Sequence, residues 1–359
     1  MRTTAGKPDE STLVSPLLLS GTPRMTHEYF SSFLYLVKFN LASALNYFLH
    51  VFFFFCTIST AQSTTFAYIT NQISDTVSVI DTSSNQLIAN LNVGHRPAGV
   101  AASSDGKRVY ISNPESQEIS VIDTDNNSLI KNIKVGDAPV GIVVSPDGKT
   151  LYIADWYLNI ISVMDTKTMK IKSKISVGKS PSGIAISATG KHLYVANRDD
   201  NNLMIIDTKT ENIEMIIPVQ IAPFGVTTAA AINKIFVANV RSGSVSMIDL
   251  DDINNVVHIK TGKFPYAIAY DEVKNRIYVT NQHDGTVSVI SLTEEKVIKT
   301  IKVGDYPEGI ALHPSGDSVY VANWFDGTIN IIDTNSLEIT GEIKTQDGCR
   351  AFGNFFSTH

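Results

Sequence analysis

Apolar residues in this chain come in short runs rich in Val, Ile and Tyr, each cut off by Asn, Asp, Gly, Ser or Pro. The stretch Tyr278–Ile290, YVTNQHDGTVSVI, shows the pattern: one β run, a polar turn holding Asp284-Gly285, and a second β run. Alone it predicts a hairpin. No apolar stripe of helical period extends far enough through the repeats to support a helix.

The same phrase returns through the chain. A β run ending in Asn or Asp closes at Asn71, Asn113, Asp155, Asn197, Asn239, Asn281 and Asn323, always 42 residues apart. A VSVID-like run closes at Asp81, Asp123, Asp165, Asp207, Asp249, Ser291 and Asp333 in the same phase. A third marker, V-G-x-x-P-x-G, is clear at Gly94/Pro97/Gly99, Gly136/Pro139/Gly141, Gly178/Pro181/Gly183 and Gly304/Pro307/Gly309. It weakens to Gln220/Pro223/Gly225 and Gly262/Pro265.

Each copy holds four β runs, as in residues 98–102, 108–112, 119–123 and 129–135. A four-stranded unit of this size, apolar on both faces, must pack between two neighbours, and closure into a ring supplies a neighbour for every copy. The expected fold is therefore all-β: a seven-bladed β-propeller with four-stranded antiparallel blades. Seven repeats occupy 294 of the 298 residues after Ala61. The Gly/Ala-rich run of each copy (AGVAA, VGIVV, SGIAI) is expected nearest the axis, where space is least. The first blade begins at its second strand, Phe66–Thr70, so Arg350–Phe356 is expected to supply its missing inner strand and close the ring.

These motifs (YITN, YISN, YIAD, YVAN, FVAN and YVTN, with VSVID and VGxxPxGIAxSPDGK) resemble the YVTN-repeat β-propeller family over about Thr65–Phe356. The resemblance implies a seven-bladed propeller of exported or surface-layer type. It implies little chemistry, because members share no single reaction and related propellers include lactonase-type enzymes.

The first 61 residues follow another logic. Residues 41–61 are mostly apolar and lack Asp, Glu, Lys and Arg; Lys38 precedes them, and Ser59-x-Ala61 forms a small-residue end before Gln62. That is the layout of a secretory signal, with Met25 a possible true start and residues 62–359 the propeller. An exported protein (periplasmic, cell-surface or secreted) without a membrane anchor after cleavage is expected, and a monomer. Only Cys349 lies in the propeller, so it has no internal disulfide. The net charge of −6 gives no bulk signal for nucleic acid or anionic membrane.

Residues repeated around the ring are expected to be scaffold: Asn and Asp end strands and bond local backbone, and the motif glycines supply backbone freedom. Chemistry is sought where copies differ. Two loops per blade, expected at one end of the ring, carry Trp156, Tyr157, Arg198, Arg241, Phe264, His283, Tyr306, Trp324, Phe325, His95 and Arg96. Rings interspersed with charges suit an unidentified protein, peptide, glycan or single-stranded nucleic acid. Trp156 and Trp324 lie 168 residues apart, four repeats, and so are expected on nearly opposite sides of the channel mouth.

No cofactor or metal site is predicted. Asp199-Asp200-Asn201-Asn202 lacks calcium-loop spacing, and no haem-attachment, nucleophile-elbow, phosphate-loop or dinucleotide motif occurs. The expected role is a binding or scaffold module. The alternatives are a lactonase-like enzyme drawing on His95, His283, Asp305 and Asp347, and a purely structural envelope component.

Overall fold

The computed structural model describes residues 64–358. The expected signal segment, the alternative start at Met25 and the cleavage point after Ala61 lie outside the described residues. No helix among the described residues is long and apolar enough to cross a membrane.

The described chain forms seven sheets of four antiparallel strands in the 42-residue phase, one of them extended by a fifth, parallel strand. In blade 3, for example, Pro139–Val144, Thr150–Asp155, Ile160–Asp165 and Lys170–Ser176 run from the axis outward. The middle two strands of each blade are buried along nearly their whole length because blades cover both faces. Outer strands such as Lys170–Ser176 alternate exposed and covered positions. Their exposed Lys170, Lys172 and Lys174 place charge on an edge that would otherwise invite another strand.

The C-terminal segment closes the ring, but it is not the single Arg350–Phe356 strand expected. It bridges to the first strand at Asn71↔Cys349, and the Arg350 amide donates to the Thr70 carbonyl at 2.8 Å. The chain then leans toward blade 2, where Phe352–Asn354 pairs in parallel with Gly99–Ala102. It returns to blade 1 as Phe356–Thr358, antiparallel to Thr65–Ala67. The terminal segment therefore engages two blades, and pairing continues to Thr358. Phe355 and Phe356 fill the core between blades 7 and 1 beside Tyr68, Ile69 and Ile331. Cys349 is fully buried there, and burial pushes its thiol up to about 12.

The repeated residues are scaffold, with one change of reason. The strand-ending Asn side chains are buried, and in Asn71, Asn239 and Asn281 the amide donates to hydroxyls five and seven residues on: Asn71 Nδ2 reaches Thr76 Oγ1 at 3.0 Å and Ser78 Oγ at 2.9 Å. Asp165 and its equivalents accept backbone N–H groups of the following turn, 2.7 Å from Thr168. The second motif glycine, however, does not serve unusual dihedrals, since none of Gly99, Gly141, Gly183, Gly225 and Gly309 has a positive φ. A Cβ on Gly141 would lie 2.0 Å from the Ser182 carbonyl oxygen, and one on Gly183 2.1 Å from that of Phe224. Inner strands crowd at the axis, and glycine is required for close approach.

Candidate functional site

Both variable loops of each blade lie at the same end of the ring and are bonded together. The Trp156 amide donates to the Ala138 carbonyl at 3.0 Å, and the Trp324 amide to that of Tyr306 at 3.0 Å. Arg96, Ser180, Ala222, Phe264 and Tyr306 hold equivalent positions with φ between 54° and 59°. The left-handed turn is thus a property of the loop, and Phe264 and Tyr306 adopt it despite their bulk.

Five of the candidate residues form one continuous row. The rings of Phe264 and His283 stack at 3.7 Å with 7° between planes, and His283 lies 5.6 Å from Tyr306. Tyr306 meets Phe325 at 5.2 Å and Trp324 at 6.1 Å, and the last two are 4.7 Å apart. Trp324 is half-buried, and its Nε1 donates to Gln72 Oε1 of blade 1 at 3.1 Å. Phe325 is 67% exposed. The row therefore runs from the start of blade 6 to the seam between blades 7 and 1. Exposed Asp305, Asp326 and Asp347 flank it.

The other candidates lie apart from that row. Trp156 packs 6.2 Å from Phe224 with the Arg198 guanidinium 5.6 Å over its ring, and Tyr157 projects with 73% exposure. Arg198 also pairs with Asp199 at 2.8 Å, while Arg241 is exposed on the next blade. His95 Nδ1 lies 2.8 Å from Asp75, which raises the imidazole above its usual range, and Arg96 pairs with Glu115 at 3.4 Å.

The Asp199–Asn202 oxygens are each engaged by protein groups: Ser180 Oγ, the Lys179 amide, the Ala222 amide and Asn197 Nδ2. Among the described residues no three His, Cys, Asp or Glu side chains converge as metal ligands would.

Between the two tryptophans the axis is occupied by side chains. The residue before the second motif Gly or its Ala counterpart is, in ring order, Ala98, Val140, Ser182, Phe224, Tyr266, Glu308 and Arg350. The four large ones interlock with Phe352. Phe224 stacks on Tyr266 at 4.1 Å and meets Phe352 at 5.0 Å. Arg350 Nε pairs with Glu308 Oε2 at 2.8 Å, its Nη2 donates to the Tyr266 hydroxyl, and Gln282 Nε2 donates to Glu308 Oε1 at 2.9 Å.

Burial pushes the Glu308 carboxyl up against the pull of Arg350, and pushes the Tyr266 phenol up as well. Below this plug an axial cavity of about 500 Å³ is lined by inner-strand residues such as Ile142, Ile184, Thr227 and Ala311. Seeking chemistry only in the loops misses this group. The signal was one heterogeneous column in otherwise small, apolar inner strands.

Comparison with known proteins agrees with this architecture. Residues 60–188 match the model of the YNCE-like beta-propeller family. No curated protein matches the chain. Among solved structures, a chain of Kuenenia stuttgartiensis hydrazine synthase superposes with a TM-score of 0.68 at 24% identity, covering 75% of this chain and 92% of its own. A protein of unknown function from Desulfotomaculum acetoxidans gives 0.69 at 16% identity, covering 82% and 98%. The dihydro-heme d1 dehydrogenase NirN gives 0.61 at 12%, covering 77% and 72%. The likeness is one of fold.

Proposed function

We propose that the protein is an exported propeller that binds an extended ligand on its loop-rich face, along the row Phe264–His283–Tyr306–Phe325–Trp324. The observation that carries this reading is the continuity of that row, which ends in the strongly exposed Phe325. Rings of this kind stack on the flat faces of sugars or on peptide side chains. Asp305, Asp326 and Asp347 beside the row accept hydrogen bonds from hydroxyls and amides, which a glycan or peptide strand offers. Export is supported by the apolar stretch and Ser59-x-Ala61 end alone.

Binding of the full mature chain to glycan and peptide arrays, followed by Phe325→Ala, tests the reading. Phe325 supports no core, so its truncation is expected to weaken the ligand about tenfold, or roughly 1.4 kcal/mol, with unchanged melting. Trp324→Ala also breaks the bond to Gln72, so it is expected to lower both affinity and stability. A ligand that binds Phe325→Ala as tightly as the wild type would show that these rings only cap the blades.

A further inference from the structure

A cavity of about 420 Å³ opens between blades 4 and 5, at the end of the ring opposite the aromatic row. Its origin lies in a departure from the repeat. In each blade except the fifth, the second strand carries a Tyr, and the residue 56 positions later opens a turn of the following blade. Tyr68, Tyr110, Tyr152, Tyr278 and Tyr320 all have Thr at that distance: Thr124, Thr166, Thr208, Thr334 and, around the ring, Thr82.

Their hydroxyls are partnered: Tyr68 donates to Asn127 Oδ1 at 2.6 Å, Tyr320 to Asn85 Oδ1 at 2.5 Å, and Tyr278 to Asp271 Oδ2 at 3.4 Å. The Tyr110 and Tyr152 hydroxyls lie against the Thr166 and Thr208 side chains. Where the later residue is Leu292, the earlier one is Phe236, which has no hydroxyl to satisfy. Blade 4 alone breaks the pairing: Leu250 faces Tyr194.

Tyr194 is 2% exposed, lines the cavity, and its hydroxyl has no hydrogen-bond partner among the described residues. The hydroxyl keeps contact with solvent at the cavity, free to donate to a ligand, and the same scaffold shows at Phe236 that it can be omitted. Around it the floor is apolar, with Met215, Leu250 and Ile253. On the rim Lys234 pairs with Asp249 at 3.0 Å, and His192 Nε2 lies 3.2 Å from Glu214. Burial and the nearby Glu214 raise the Tyr194 phenol, so it stays protonated and serves as a donor.

We infer that this cleft is a binding site for a small, uncharged, largely apolar molecule with one acceptor oxygen, held by the Tyr194 hydroxyl above the Met215–Leu250 floor. A volume of this size is within the range of small-molecule pockets. The apolar floor argues against an ionic ligand.

The test uses the full mature chain with methyl-labelled methionine and two probes of one shape, acetophenone, which has the acceptor, and ethylbenzene, which lacks it. Both probes are expected to shift the Met215 methyl resonance. Tyr194→Phe, which copies blade 5, is expected to weaken acetophenone about five- to tenfold and ethylbenzene less than twofold. A Met215 resonance that stays still up to the solubility limit of acetophenone overturns the proposal. So does equal acetophenone affinity in the wild type and Tyr194→Phe.

Discussion

Two junctions of the ring depart from the repeat, and they resolve the departure in opposite ways. At the seam between blades 7 and 1 the chain has two ends to join, and aromatic side chains pack the core there. Phe355 and Phe356 enter the core, Tyr320 bonds Asn85 and His313 Nε2 lies 3.0 Å from Thr82 Oγ1, while on the other side of blade 1 Ser357 Oγ donates to the Gly106 carbonyl of blade 2 at 2.6 Å. At the junction of blades 4 and 5 the chain is continuous, yet a hydroxyl is unmatched and a cavity remains. The first departure serves closure. The second has no structural use, and a largely apolar cavity with one free hydroxyl is where a ligand is expected.

The largest effect should come from removing the closure. Deleting Arg350–His359 strips the first strand of its partner and opens the core beside Tyr68 and Ile69, leaving two unpaired edges. The loss should exceed that of a single buried Phe, about 3–5 kcal/mol, and size-exclusion chromatography should show aggregates. Because pairing reaches Thr358, removing only Ser357–His359 should also lower the melting temperature measurably.

Next is the plug that the closing segment brings to the axis. Arg350→Met leaves Glu308 buried without its cation and should cost about 3–5 kcal/mol. The double variant Glu308→Gln/Arg350→Met should recover much of this in denaturant unfolding. Equal losses in the single and double variants would mean that the arginine acts by packing alone.

A smaller effect belongs to His313, packed 5.2 Å from Phe356 at the seam. Burial lowers its pKa below the ordinary value of about 6.5. Between the two values the unfolded chain binds more protons, so stability should fall as pH drops below about 6.5 and level off below the folded value. A His313→Gln variant should lack that part of the slope in melts taken across pH 5–7.

The smallest effect falls at the open junction. Tyr194→Phe should leave stability within about 0.5 kcal/mol of wild type or raise it, since only an unmatched hydroxyl is removed. A loss of about 2 kcal/mol would mean the hydroxyl has a structural partner, and the contrast between the junctions would disappear.

Most of the fold was legible because a strict period exposes it. Asn281 and its equivalents end the second strand in every blade, and the absent first inner strand pointed to the C-terminus. The detour of Phe352–Asn354 to blade 2 was not legible, because pairing with a neighbouring blade leaves no mark in a three-residue run. The motif glycines were visible but misassigned, since a sequence does not distinguish a required dihedral from a required absence of Cβ. The loops were legible as one surface. Their division into a row around Tyr306 and a separate Trp156 group was not, since it depends on which rings touch. Tyr194 and Leu250 were both visible, but their mismatch appears only once residues 56 apart are known to be neighbours.

For the proposed recognition on the aromatic row beside the seam, the protein carries its own reporter. Its only tryptophans are Trp156 and Trp324, and a Trp156→Phe variant leaves emission from Trp324 alone, 4.7 Å from Phe325 and bonded to Gln72. Titrated with the glycan or peptide selected on the arrays, this variant should change its emission saturably, with a Kd equal to that of the wild type. Adding Phe325→Ala should move the midpoint about tenfold higher. Saturable binding that leaves Trp324 emission unchanged and the midpoint indifferent to Phe325→Ala would contradict the claim and place recognition elsewhere on the ring.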